Sequence, residues 1–204
     1  MLALYVVFVA SGFAALLYQV CWQRALFAIY GINIESVTVI VAAFMLGLGL
    51  GSLAGGEASK NPRRPTLLLF SGIEMTVGLY GFASLAIFRA VGGATLGAST
   101  WATFVLAFLL VLIPTVLMGA TLPLLVAHAV RRSGSVGKSV SVLYFVNTLG
   151  SAIAAAAAVF FFLGNLGLTR TVVVAGCINL AVSGVAGMQW VRERRAFASS
   201  GPDT

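Results

Sequence analysis

The sequence has little of what a water-soluble globule needs. Charged residues make up 8% of its 204 positions, where soluble domains carry about 25%. Five acids and twelve bases are too few to coat a globule of 21.2 kDa. Histidine occurs once, as His128, and aspartate once, as Asp203 in the tail. Neither a Ser/His/Asp set nor a histidine-based metal site can be assembled from them, so no catalytic residue, metal or cofactor is expected. The two cysteines, Cys21 and Cys177, lie in apolar runs. They exclude a disulfide scaffold and read as small buried apolar side chains. Glycine and proline show no triplet period, which excludes collagen.

What is abundant is apolar. Hydrophobic residues make up 60% of the chain and the mean hydropathy is +1.06. A helix needs about 20 apolar residues to cross roughly 30 Å of hydrocarbon. Six stretches meet that length, at about 2–22, 36–56, 66–88, 102–126, 140–163 and 171–191. The expected fold class is all-α: a polytopic, multi-pass membrane protein of six transmembrane helices over residues 1–191, with a short basic tail over 192–204. Residues 1–22 read as a retained first span, because no base precedes the apolar run and no small-x-small site follows it. The connector Ala25–Gly31 is too apolar for a free loop. It is expected to continue the first helix or to lie at the interface.

The net charge of +7 is not gathered into a patch interleaved with aromatics, so nucleic acid is not an expected partner. The bases fall instead in alternate connectors. Lys60, Arg63 and Arg64, then Arg131, Arg132 and Lys138, then Arg192, Arg194 and Arg195 belong to one side; Arg24, Arg89 and Arg170 belong to the other. By the positive-inside rule both termini are expected to be cytoplasmic, in a bacterial-type inner membrane.

Lipid gives helices no hydrophobic reason to associate, so small and polar residues mark the packed faces. The second span aligns Gly47, Gly51 and Gly55. The third aligns Ser71, Glu74, Gly78 and Gly81, the fifth Asn147, Thr148, Ser151 and Ala155, and the sixth Gly176, Asn179, Ser183 and Gly187. Small-residue blocks in the second and fifth helices fit two three-helix units of opposite topology.

Glu74 is the acid placed well inside a span, where an ionised group costs several kcal/mol unless protonated, paired or wet. It reads either as a proton-coupling or cation-binding carboxylate or as a protonated or paired structural acid. Tyr18, Trp22 and Arg24 close the first span and read chiefly as interfacial anchors, with an Arg24–Glu35 bond as one option. Gln19 sits deeper and is a cavity candidate. Pro114 and Pro123 each remove a backbone donor and free a carbonyl one turn earlier, which is expected to kink or break the fourth helix unless neighbours repair it. The residues expected to line a cavity are Gln19, Arg24, Glu74, Tyr144, Asn147 and Asn179.

Several runs resemble a known family. They are Ser11 to Val20 with Trp22 and Arg24, Phe44 to Gly51, Glu74, Pro114-Thr115, Met118 to Pro123, Tyr144 with Asn147 to Gly150, and Gly164 to Leu168. Together they resemble the membrane-embedded part of spermidine-synthase-like proteins, a part similar to one six-helix half of a major facilitator transporter. In that family a soluble aminopropyltransferase-like domain follows. The resemblance implies a six-helix module whose enzymatic partner is absent, lost or separately encoded. Two functions are therefore expected as rivals. One is a transporter-like module that pairs, as a homodimer or within a larger membrane complex, around a cavity for a small polyamine-like cation. The other is a non-transporting scaffold that anchors a soluble spermidine-synthase-like enzyme.

Overall fold

A computed structural model describes residues 1–30, 34–95, 97 and 99–199. These form six long helices, with no strand among the described residues. They are α1 (Leu2–Tyr30), α2 (Ile34–Ser59), α3 (Thr66–Ala94), α4 (Thr100–Ser133), α5 (Val136–Asn165) and α6 (Gly167–Ser199). All six are long and apolar enough to cross a membrane. The chain is a membrane protein by that measure.

The ends are set locally. Ser99 caps α4, its hydroxyl accepting from the Ala102 amide at 3.3 Å. Gly134 ends the helix in the left-handed conformation (φ +69°), which a side chain disfavours. Gly167 (φ +71°) turns the chain from α5 into α6. A π turn at Ala158–Phe162 interrupts the last third of α5. The apolar connector after Trp22 continues α1, with Ala25 and Leu26 buried.

The packing follows a pattern. α2 lies along α4, α5 lies along α1, and α3 packs against α6; α1 also meets α6, and α3 meets α4. Exchanging α1 with α4, α2 with α5 and α3 with α6 maps these extensive interfaces onto one another. Small residues make the two outer pairings possible. A side chain at Gly51 would overlap the Val116 carbonyl oxygen, and one at Gly47 would overlap Thr115. In the equivalent pair, a side chain at Gly150 would overlap the Val9 carbonyl and one at Gly12 the Asn147 carbonyl. Hydroxyls tie both seams: Thr115 Oγ1 donates to the Ala43 carbonyl at 3.4 Å, and Ser151 Oγ to the Gly12 carbonyl at 3.1 Å.

α4 is not broken at Pro114 or Pro123; both lie inside one continuous helix. Proline at 114 frees the Leu110 carbonyl one turn earlier. The Tyr80 hydroxyl of α3 donates to that carbonyl at 2.6 Å. A neighbouring helix thus supplies the freed carbonyl with a donor, the repair that keeps α4 one continuous helix there. Pro123 instead packs toward Gly55 of α2.

Tyr18 and Trp22 are not interfacial anchors. Both are fully buried, their rings stacked with centroids 4.8 Å apart, and Trp22 Nε1 donates to Ser84 Oγ at 2.9 Å. Of the cysteines, Cys21 is buried as expected, whereas Cys177 is exposed. The Arg24–Glu35 option falls outside the described side chains.

The basic connectors share one end. Arg131 donates to the carbonyls of Ser59, Asn61 and Arg64, and a cleft beside it gathers Met1, His128, Arg132, Arg192 and Glu193.

The seam between α2 and α4 yields a paired prediction. Gly51→Leu is expected to destabilise the protein by about 1–3 kcal/mol through overpacking, or to prevent folding. Gly49→Leu, on the open side of the same helix where an added Cβ meets nothing within 4 Å, is expected to stay within about 0.5 kcal/mol. Unfolding of both variants in detergent micelles measures the contrast.

Candidate functional site

Two apolar clusters fill the bundle. One, toward the basic end, holds Phe8, Phe70, Leu125, Leu143 and Val182. The other, toward the opposite end, is built round Tyr18, Trp22, Phe44 and Phe88. Between them lies a polar layer. On α1 the order is Phe8, Ser11, Ala14; on α3 it is Phe70, Glu74, Val77; on α6 it is Ala175, Asn179, Val182.

A cavity of about 60 Å³ opens in that layer. All six helices line it. Ser11 comes from α1, Leu48 from α2, Glu74 from α3, Thr121 from α4, Asn147 from α5 and Asn179 from α6. At 1.5 Å of rise per residue, Ser11 and Glu74 lie roughly 12–14 Å from the starts of their 29-residue helices, about a third of the way along and well inside a span.

Glu74 is 2% exposed. Ser11 Oγ donates to its Oε1 at 2.5 Å, while Oε2 has no hydrogen-bond partner. Asn179 Oδ1 is likewise buried and unpaired, as is the Tyr18 hydroxyl two turns along α1. Unmade hydrogen bonds at buried groups are costly. Among the described residues, two of the three such unpaired atoms belong to residues that line one cavity, and both are acceptors unless the carboxyl is protonated. What that arrangement lacks is a donor: a water, a proton on the carboxyl, or an ammonium group. The volume admits a small number of water-sized groups.

Of the residues singled out from sequence, the structure brings Glu74, Asn147 and Asn179 together. It leaves three apart. Gln19 is half-buried on α1, eight residues or roughly 12 Å from Ser11. Arg24 is exposed farther along the same helix. Tyr144 is 61% exposed, because α5 is the least covered helix and turns that side chain outward. Ser11 and Thr121 were missed. Both stand in runs that carry the family resemblance, but their own chemical signal is a hydroxyl beside a glycine or alanine in an apolar run, which many spans carry. Among the described residues no group of His, Cys, Asp and Glu is placed to hold a metal. His128 contacts Glu193 at 3.6 Å, and Arg132 pairs with the same carboxylate at 3.1 Å.

Comparison with known proteins bears on the same helices. The chain is 27% identical over 170 residues to a polyamine aminopropyltransferase of Oceanobacillus iheyensis, covering 83% of this chain and 32% of that protein. It is 28% identical over 187 residues to a polyamine aminopropyltransferase of Mycobacterium tuberculosis, covering 90% of this chain and 35% of that one. The chain is similar to polyamine aminopropyltransferases. It spans about a third of the length of these curated relatives. No family model matches, and no solved structure matches either. The resemblance to spermidine-synthase-like proteins thus holds as a low-identity similarity across most of the chain.

The polar layer predicts a double-mutant result. Ser11→Ala leaves Glu74 without its donor and is expected to cost about 1–3 kcal/mol. Adding Glu74→Leu to that variant removes the orphaned carboxyl and is expected to recover most of the loss. Denaturant unfolding of the single and double variants in micelles checks the sign of the coupling.

Proposed function

We propose that this chain is an integral membrane, transporter-like module that receives the ammonium group of a small organic cation at Glu74. The single observation that supports it is the buried carboxyl with one unpaired oxygen, facing a cavity lined by every helix of the bundle. A carboxylate in hydrocarbon is costly unless protonated, paired or wet, and an alkylammonium offers both a countercharge and donors. Asn179 and Asn147 supply further acceptors for the remaining N–H groups. Because this cavity is too small for a whole polyamine, the rest of a polyamine would extend outward between α2 and α5, where Leu48 and Asn147 are only partly covered.

The exchange pattern of the helix interfaces supports reading the module as two inverted three-helix units, one six-helix half of a major-facilitator-like transporter. A second copy in the same orientation would face α2 and α5, the least covered helices, and enclose the outer part of the substrate. The polyamine class rests on the names of the similar proteins. The basic connectors set the orientation proposed here, with both termini in the cytoplasm of a bacterial-type inner membrane.

The experiment is uptake of labelled putrescine and spermidine into proteoliposomes. Wild-type protein is expected to transport, and Glu74→Gln, which keeps the shape and removes the charge, is expected to lose roughly tenfold or more, the worth of a hydrogen bond to a charged group. Equal uptake by the two proteins sinks the proposal. The rival reading, a membrane anchor for an aminopropyltransferase-like enzyme, draws on the similar proteins' names and on the clustered bases at one end. It wins if wild-type vesicles take up no amine yet retain a purified soluble aminopropyltransferase through the Arg63, Arg64, Arg131 and Arg132 end.

A further inference from the structure

A second, larger opening lies on the outside of the bundle, away from Glu74. It is a groove of about 520 Å³ between α3 and α6, and it starts at the basic end. Its walls are Leu68, Gly184, Gly187, Met188 and Val191, and its mouth carries Arg192 and Arg195. The floor is closed: Ser71 Oγ donates to the Ser183 carbonyl at 2.8 Å and Ser183 Oγ donates back to the Ser71 carbonyl at 2.7 Å. Both hydroxyl protons are thereby used, so Ser71 and Ser183 offer no donor to a ligand below the rim.

The two ends of the groove ask for different chemistry. The walls are apolar and belong to the lipid-facing sides of two membrane-crossing helices: Leu68 is 39% exposed and Met188 56%. An added Cβ at Gly184 meets nothing within 4 Å, so the space there is unfilled by protein. Among the described residues, no acid lines the groove at its rim. Glu193, the acid next in sequence, is committed to Arg132 and His128 in the neighbouring cleft, which Arg192 also lines and from which it reaches the groove mouth. Among the described residues neither Arg192 nor Arg195 has an acidic partner. Trp190 lies between rim and wall, with the Arg194 guanidinium 5.4 Å from its ring centroid, an aromatic at the depth where interfacial aromatics settle.

We propose that this groove is a binding site for an anionic phospholipid. One acyl chain lies along Leu68, Gly184, Gly187 and Met188, and the headgroup phosphate is held by Arg192 and Arg195. Guanidinium forks suit phosphate oxygens, and basic sites at the level of the cytoplasmic headgroups favour anionic lipids. A soluble phosphate compound would satisfy the rim but leave the apolar wall bare. A neutral lipid would fill the wall without countering both charges. The charge at the mouth together with the unfilled apolar wall selects the anionic lipid over either.

Native mass spectrometry of the purified protein with phosphatidylglycerol, cardiolipin or phosphatidylcholine tests this. Wild type is expected to retain one anionic lipid in preference to phosphatidylcholine. Arg192→Gln with Arg195→Gln is expected to weaken that binding about 30-fold, at about 1 kcal/mol for each base near a membrane surface. Gly184→Leu fills the groove and is expected to abolish the bound lipid while leaving both arginines. Arg24→Gln, at the opposite end, is the control and is expected to bind as wild type. Binding unchanged in both groove variants overturns the proposal, and so does retention of inorganic phosphate or glycerol 3-phosphate equal to that of the anionic lipids. If the double arginine variant does not fold, Gly184→Leu and the lysine pair Arg192→Lys with Arg195→Lys decide instead. The lysine pair must keep the preference for anionic lipid within a few-fold.

Discussion

The Ser11–Glu74 hydrogen bond, made well inside the bundle, is the contact on which the internal arrangement turns. A carboxyl at that depth is intolerable against lipid, so α3 must present Glu74 inward and α1 must bring a donor to meet it. That fixes the rotation of both helices. With α3 so turned, Gly78 and Gly81 face inward as well, Gly78 against α6 and Gly81 against the Tyr18 ring. The Tyr18–Trp22 stack and the Trp22–Ser84 bond then follow on the next turns of the same two helices. The polar contact and the aromatic cluster thus share the same inward faces of α1 and α3, roughly 10–17 Å apart at 1.5 Å per residue along the helix.

Much of this was legible in the residues. Six apolar stretches gave six helices, and the inward faces of α3 and α6 followed from small residues three and four apart. The glycines of α2 pointed to a close neighbour, although not to which helix it is. What escaped was whatever depends on a distant partner. Trp22 beside Arg24 looks like an interfacial anchor until Ser84, sixty-two positions away, accepts from its indole. Pro114 looks like a break until Tyr80 restores the lost bond. Tyr144 sits near Asn147 on a helical wheel, yet the sparse covering of α5 leaves it outside. In each case local pattern fixes which groups need partners, and tertiary packing decides who supplies them.

The candidate site was half legible for the same reason. Glu74, Asn147 and Asn179 announce themselves as polar groups in apolar helices, where polarity demands a cause. Ser11 and Thr121 do not, since hydroxyls in spans commonly bond back to their own helix, as Thr121 does to the Met118 carbonyl. Only the geometry distinguishes Ser11, whose hydroxyl leaves its helix for Glu74.

The polar layer also separates the two halves of the interior in an uneven way. Toward the basic end the buried cluster is aliphatic and phenyl, with Tyr5 and Trp190 only partly buried against it. Toward the opposite end Tyr18, Trp22 and Tyr80 carry polar handles into the packing. The helix interfaces repeat under exchange of the two three-helix units, but the side chains between them do not: the acid stands on α3, and its exchange partner α6 offers an amide. A symmetric frame thus carries an asymmetric charge, and under the proposed function a group bound at Glu74 would approach from one definite side of the bundle. That side is the one where Leu48 and Asn147 leave the cavity least covered, between the two helices that have the fewest neighbours of their own.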